Sequence, residues 1–248
     1  MKDHNKHKYK GIVRGFFHQL LTIDFVRYCI ARIRFFYFVR ICRKLKTFDL
    51  STQKAIASNT VFHNLKGIKD LAVVRSLALI KPVTAIDKVG IHSKVLTIGP
   101  RTEGELLSLV GYGFLKKNVR GLDLISYSSW IDLGDMHAMS YPDNSFDVVI
   151  MGWVISYSED PVKAAQEVIR VAKNGAVIAV GVEYGGLPGK EETKHLDYIP
   201  GAGRLTTEAS QLTDFFGEAV DHVYFSHSID EDRKDLKGSV IAVFSIKK

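Results

Sequence analysis

The chain has 248 residues, 46% hydrophobic and 25% charged, a balance that permits a full core and excludes global disorder. Its net charge of +7 is uneven: residues 1–50 carry +9 and the other 198 carry −2, so the basic character belongs to the front of the chain. Two cysteines, Cys29 and Cys42, and scattered histidines give neither a disulfide framework nor a metal-ligand spacing, and no uninterrupted apolar run is long enough to span a bilayer.

In chain order, "MKDHNKHKYK" is a polar, basic start. Arginines interrupt every apolar run after it, which excludes a secretory leader and points to a reducing, cytoplasmic setting. Residues 12–46 have helical spacing but carry aromatics around much of the circumference. Ser51 or Thr52 is a plausible cap for a second helix, and "GIKDLAVVRSLALI" predicts a further one closed at Lys81-Pro82. Residues 1–82 are therefore expected to form a basic helical extension.

From residue 93 the pattern changes to alternating strand and helix. "KVLTIG" predicts a buried strand, and "EGELLSLVGYGFL" a helix with Leu106, Leu107, Val110 and Phe114 on one stripe. "VRGLDLI", "FDVVIMGWV" and "AVIAVGVEY" predict further strands, and a helix between the last two is capped by Asp160 with Pro161 in its first turn. A long glycine-rich segment, "YGGLPGKEETKHLDYIPGAGR", reads as a lid or substrate loop. "TTEASQLTDFFG" predicts a helix, and two strands close the chain. The expected fold of residues 83–248 is a Rossmann-like, doubly wound, mostly parallel α/β sheet with an antiparallel C-terminal strand pair. Its ligand would lie at the carboxyl ends of the central strands.

Candidate site residues fall at those strand ends. Gly99 follows the first strand in "VLTIGPRTEGE", Asp123 follows the second, and Asp135 lies in "LGDMHAM". A carboxylate about twenty residues past a glycine turn is placed to accept ribose hydroxyls. The helix starting near Glu103 presents free N–H groups to an anion.

Over residues 94–183 the chain resembles the cofactor half of class I S-adenosylmethionine-dependent methyltransferases, in particular the group that methylates small molecules and lipid quinones. The likeness rests on "VLTIGPRTEGE", "GLDLIS", "LGDMHAMSYPDNSFDVVIMGWVISY" and "EDPVKAAQEVIRVAKNGAVIAVG", of which "DMHAMSYPDNSFDVV" is the most specific. The resemblance implies S-adenosylmethionine as cofactor. It places Gly99 and Pro100 at the methionine part, Asp123 and Leu124 at the ribose, Asp135 and Met136 at the adenine, and Trp153 beside the sulfonium. The family has an acid at the position of Thr97 and glycines at those of Arg101 and Glu103. Here Glu103 is expected to supply the missing negative charge and Arg101 to pair with the cofactor carboxylate; the alternative is a surface ion pair between them.

Candidates for a base are Glu183 and Tyr184 at a strand end and His137, with Tyr157 and His195 behind them. Tyr127 and Trp130 would stack on the nucleoside or simply pack. The acceptor class implied is a small molecule, a glycan or a lipid-linked compound. A nicotinamide-dependent oxidoreductase and a non-catalytic binding protein are the competing readings. For the extension, three readings stay open: a helix packed across the domain as a cap over the substrate pocket, which the all-round apolar pattern favours, peripheral contact with an anionic membrane, and, least favoured, nucleic-acid binding.

Overall fold

The computed structural model describes residues 19–49, 60–68, 71, 74–184, 206–230, 232 and 238–248. Its strands are β1 (Lys46–Thr47), β2 (Val95–Ile98), β3 (Val119–Asp123), β4 (Ile125–Ser126), β5 (Ile131–Leu133), β6 (Phe146–Gly152), β7 (Ala172–Tyr184), β8 (Val220–His227) and β9 (Gly238–Ile246). Seven of them form one sheet in the order β5-β3-β2-β6-β7-β9-β8, and β1 pairs with β4 in a small ribbon. Strands β5 to β7 of that order are parallel; β9 runs antiparallel between β7 and β8. The chain moves outward in opposite directions from β2 and β6, and that reversal opens a crevice at their carboxyl ends.

The α-helices are α1 (Asp24–Phe35), α2 (Thr60–Gly67), α3 (Leu77–Thr84), α4 (Glu103–Gly111), α5 (Pro161–Val171) and α6 (Ser210–Thr213). They cover the sheet on both faces. One apolar layer joins Ala164, Ala165 and Val168 of α5 and Leu212 of α6 to the sheet. The other joins Leu79, Ile80 and Val83 of α3 and Leu106, Leu109 and Val110 of α4 to it. Double cover explains why β2 and most of β7 are buried continuously instead of at alternate positions. The start of α5 follows the sequence: the Asp160 side chain accepts the Lys163 N–H at 3.0 Å, and Pro161 occupies the first turn.

Three local expectations change. Helix α3 runs through Pro82 to Thr84; the bond that proline cannot donate falls in the last turn, which closes through Ala85 N–H to Pro82 O at 3.2 Å. The expected boundary between residues 82 and 83 thus lies inside a helix that packs on the sheet. Helix α4 is buried at all nine positions, not along one stripe. Its second cover is the front of the chain, where α1 continues as one π-helical segment, Phe36–Ile41. Leu21 O sits so close to Gly111 that a Cβ there would come within 2.2 Å of it. The Ser51/Thr52 cap and the glycine-rich segment after Tyr184 lie outside the described residues.

Candidate active site

The cleft at the reversal point encloses about 500 Å³, counting the space at its open mouth. Strand ends supply Ile98, Gly99, Leu122, Asp123 and Leu124, and the segments beyond β5 and β6 supply Asp135, Met136, Trp153, Val154 and Tyr157. Thr60 and Asn64 of α2 and Arg75 before α3 complete the wall. The N-terminal segments therefore contribute directly to the cleft. The sequence singles out no site residue in them, and no residue-type signal marks Asn64 or Arg75 as site residues.

Asp123 ends β3 with its carboxylate buried. Oδ2 accepts the Arg101 N–H at 2.6 Å; Oδ1 accepts the Ile125 N–H at 3.1 Å and, weakly, Asn64 Nδ2 at 3.5 Å. Burial raises this carboxyl to about 6, against the backbone N–H donors that favour its charged form. Of a carboxylate's roughly four acceptor positions, one on Oδ2 stays open, and the Asn64 contact is long enough to yield.

Asp135 is held differently. Its Oδ1 accepts the His137 backbone N–H at 2.9 Å and meets His137 Nδ1 at 2.6 Å. His137 Nε2 in turn lies 2.6 Å from Ser158 Oγ, which accepts the Asp160 N–H at 3.1 Å. With Asp135 ionised, Nδ1 carries the proton and Nε2 accepts from the serine hydroxyl. Burial raises the Asp135 carboxyl, but the His137 bonds outweigh that and hold it below its ordinary value. The other oxygen, Oδ2, is buried with no hydrogen-bond partner among the described residues. A buried acceptor in a cleft wall, fixed by its neighbours and left open, is fitted to a ligand donor.

The glycine turn is altered in side chains but not in backbone. Gly99 has φ +69° and Arg101 has φ +56°, so Arg101 keeps a left-handed conformation that favours glycine. A Cβ at Gly99 would lie 1.9 Å from Val154 Cγ1, so Val154 covers this strand end. Pro100 packs over Gly121 of β3, where a Cβ would come within 2.8 Å of its ring. The Arg101 side chain lies against Gly67 of α2. Pro100 and Arg101 are absent from the cleft's lining residues.

Glu103 also points elsewhere. It is fully buried against α1, where Arg34 Nε and Nη2 reach its two oxygens at 2.5 and 2.9 Å. Its N–H donates to the Tyr127 hydroxyl at 2.7 Å, which uses a donor expected to face an anion. A second buried carboxylate lies further along the helix and meets an arginine from before α3. Glu105, buried, accepts from Ser76 Oγ and from Arg75 Nη1 at 3.3 Å; the same Arg75 nitrogen lies 3.4 Å from Gly99 O. Burial raises Glu105 to about 7 against the opposing pull of Arg75 and Ser76.

The base candidates do not meet. His137 uses both ring nitrogens inside the protein. Tyr184 is buried in the core and Glu183 is exposed at the end of β7, both outside the cleft's lining. His195 lies outside the described residues. Tyr157 does line the cleft. The two aromatics expected near the nucleoside are packing residues: Tyr127 stacks edge-on with Phe35 of α1, and Trp130 donates to Val119 O at 2.8 Å. Trp153 borders the cleft, but its N–H donates to Arg75 O at 3.1 Å and its ring rests on Gly181. Among the described residues no cluster of three or more His, Cys, Asp or Glu could hold a metal, and no helix is long and apolar enough to cross a membrane.

Comparison with known proteins bears on the family and the fold. Residues 105–180 match the family model of a methyltransferase domain. The demethylmenaquinone methyltransferase of Desulfitobacterium hafniense (strain Y51) is 28% identical over 167 residues, which is 59% of this chain and 66% of that protein. The N-methyltransferase NodS of Bradyrhizobium japonicum WM9, solved with S-adenosylhomocysteine, has a similar fold. Its TM-score is 0.53 at 15% identity, over 77% of this chain and 100% of that one. The [4+2]-cyclase SpnF is similar as well, with a TM-score of 0.52 at 15% identity, over 78% of this chain and 97% of that one. At these identities the structural likeness is one of fold.

Proposed function

We propose that this member of the class I S-adenosylmethionine-dependent methyltransferases transfers a methyl group to a small apolar acceptor of the lipid-linked kind. The observation that carries the reading is the pair of buried carboxylates at the reversal point, above all the open Oδ2 of Asp135. S-Adenosylmethionine, when bound, supplies an activated methyl group on a sulfonium. The residues present fit the adenosine part: Asp135 Oδ2 would accept from the adenine amino group beside Met136, and Asp123 would accept from the ribose hydroxyls, displacing Asn64. Arg75 and Glu105 offer a cation and a carboxylate for the zwitterionic end, in place of the acid absent at Thr97. The demethylmenaquinone methyltransferase relative and the apolar side chains around the cleft support an apolar acceptor.

Among the described lining residues of the cleft, the titratable side chains are those of Arg75, Asp123, Asp135 and Tyr157. Displacement at a sulfonium depends chiefly on alignment and water exclusion, which Trp153, Val154 and Met136 supply as walls. His137 is a positioning residue that fixes the Asp135 carboxylate. The test has two parts. Titration calorimetry with S-adenosylhomocysteine should show binding, and labelled S-adenosylmethionine should transfer label to the organic-solvent phase of a lipid extract. Absence of S-adenosylhomocysteine binding by the folded protein overturns the assignment. Binding with label appearing only in water-soluble products overturns the acceptor class.

A further inference from the structure

Helix α1 and the π-helical segment after it have two faces. Arg27, Ala31 and Arg34 face inward: Arg27 is fully buried and donates to Leu21 O at 2.6 Å, and Arg34 meets Glu103. On the opposite side Phe25, Tyr28, Arg32 and Phe36 recur at three- and four-residue steps and form one stripe. Phe25 is 72% exposed, Ile33 69%, Ile41 62% and Phe36 57%, and Ile23 and Tyr37 are half exposed beside them. So many large apolar side chains on one outer surface need an explanation, since singly scattered ones would not.

Charge accompanies them. Arg32, Arg40, Arg43, Lys44 and Lys46 are exposed on the same segment, whereas residues 19–49 contain two acids, Asp24 and Asp49. Asp24 already pairs with Arg27. Arg32, Arg40, Phe35, Phe36 and Leu71 line a groove of about 600 Å³, counting open space. Two guanidinium groups over an apolar floor suit a phosphate that carries hydrocarbon.

We infer that this surface docks the protein on an anionic lipid bilayer. The rings and isoleucines enter the boundary between headgroups and acyl chains, and the arginines and lysines meet the lipid phosphates. Charge complementarity excludes a second copy of the same face, which would set five cations against five. Isoleucines offer nothing to a nucleic-acid backbone, so the aliphatic half of the patch argues for lipid. The segment is also the cover of α4, whose first residues follow the glycine turn of the cleft. The surface is separate from the cofactor cleft, so its failure and that of the methyltransferase reading are independent.

The test is co-sedimentation of the full chain with phosphatidylcholine vesicles, with and without phosphatidylglycerol, at low and high salt. The protein should sediment with the anionic vesicles and not with the neutral ones, and high salt should weaken the binding. Phe25→Ser combined with Phe36→Ser should reduce it roughly tenfold or more, as loss of interfacial apolar area requires. Arg32→Gln combined with Arg40→Gln should reduce it as well. These four side chains are outside the core, and unchanged melting temperatures of both variants would show that the fold is kept. No sedimentation with anionic vesicles at low salt overturns the inference. So does binding that the aromatic pair does not affect, or tighter binding to a mixed-sequence RNA than to the vesicles.

Discussion

The two ends of the cleft are built on different plans. At the end proposed to hold adenosine, two carboxylates stand at strand ends, fixed by local bonds: Asp123 by the backbone N–H groups of Arg101 and Ile125, Asp135 by His137. At the glycine-turn end, the charged groups near the strand come from distant segments, Arg75 before α3 and Glu105 inside α4, while Glu103 is drawn away to Arg34 of α1. A short stretch of sequence suffices to build the first end. The second exists only when the N-terminal segments have packed on the sheet.

The comparison is broken most directly at Asp123. Asp123→Ala removes the acceptor for two backbone N–H groups and, on the proposed reading, for the ribose, so S-adenosylhomocysteine affinity should fall about 10- to 100-fold, with a loss of stability as well. Titration calorimetry beside a thermal melt measures both; unchanged affinity in a folded variant would remove Asp123 from the site.

At the opposite end, Arg34→Met should lower stability by about 2–3 kcal/mol, because it leaves the buried Glu103 carboxylate without its cation. Urea unfolding reads that loss. Arg75→Met should instead weaken S-adenosylhomocysteine binding about tenfold, while Glu103→Gln leaves affinity unchanged and reduces stability. If Glu103→Gln weakened binding and Arg75→Met did not, the charges of this end would have to be reassigned.

Protonation sharpens the contrast further. Glu105 is raised to about 7 from an ordinary 4.5, and Asp123 to about 6 from 3.8, each chiefly by burial. A carboxyl that holds its proton more tightly folded than unfolded makes the free protein lose stability as pH rises from about 4 to about 7. Below the unfolded values this penalty is absent, and above the folded ones it is complete. Melting temperature against pH should therefore decline across that window. A ligand that places a cation near Glu105 and hydroxyl donors near Asp123 favours their charged forms. Binding should then release protons near pH 6–7, which calorimetry in buffers of different ionisation enthalpy detects.

The smallest effect is expected at Arg101. Arg101→Gly relieves a left-handed residue of about 1 kcal/mol but frees the unfolded chain by a similar amount, so the melt should barely move. Affinity should hold too. A marked fall would mean that the guanidinium reaches the ligand after all.

What the sequence made legible follows the same division. The strand order's parallel core, the Asp160 cap and the strand-end positions of Asp123 and Asp135 are set by local patterns: buried apolar runs, turn residues and the spacing between them. The partners of those residues are not local. Arg34 lies 69 positions from Glu103 and Arg75 lies 30 from Glu105, separations over which periodicity carries no information. The same blindness explains α4, where an apolar stripe was visible but not the second helix that buries its other side. It also explains His137, whose residue type suggests a base while its two ring bonds make it a support.

Helix α1 rests on α4 through a buried carboxylate, a buried arginine and a glycine that leaves room for Leu21 O and nothing larger. None of these contacts opens without exposing a charge or a cavity, so the front of the chain has no detached state of low energy. The slowest backbone amides of α4 should then exchange with solvent at the same rate as those of α1, both through global unfolding. A chain cut after residue 46 should fail as a folding unit rather than survive as a trimmed domain.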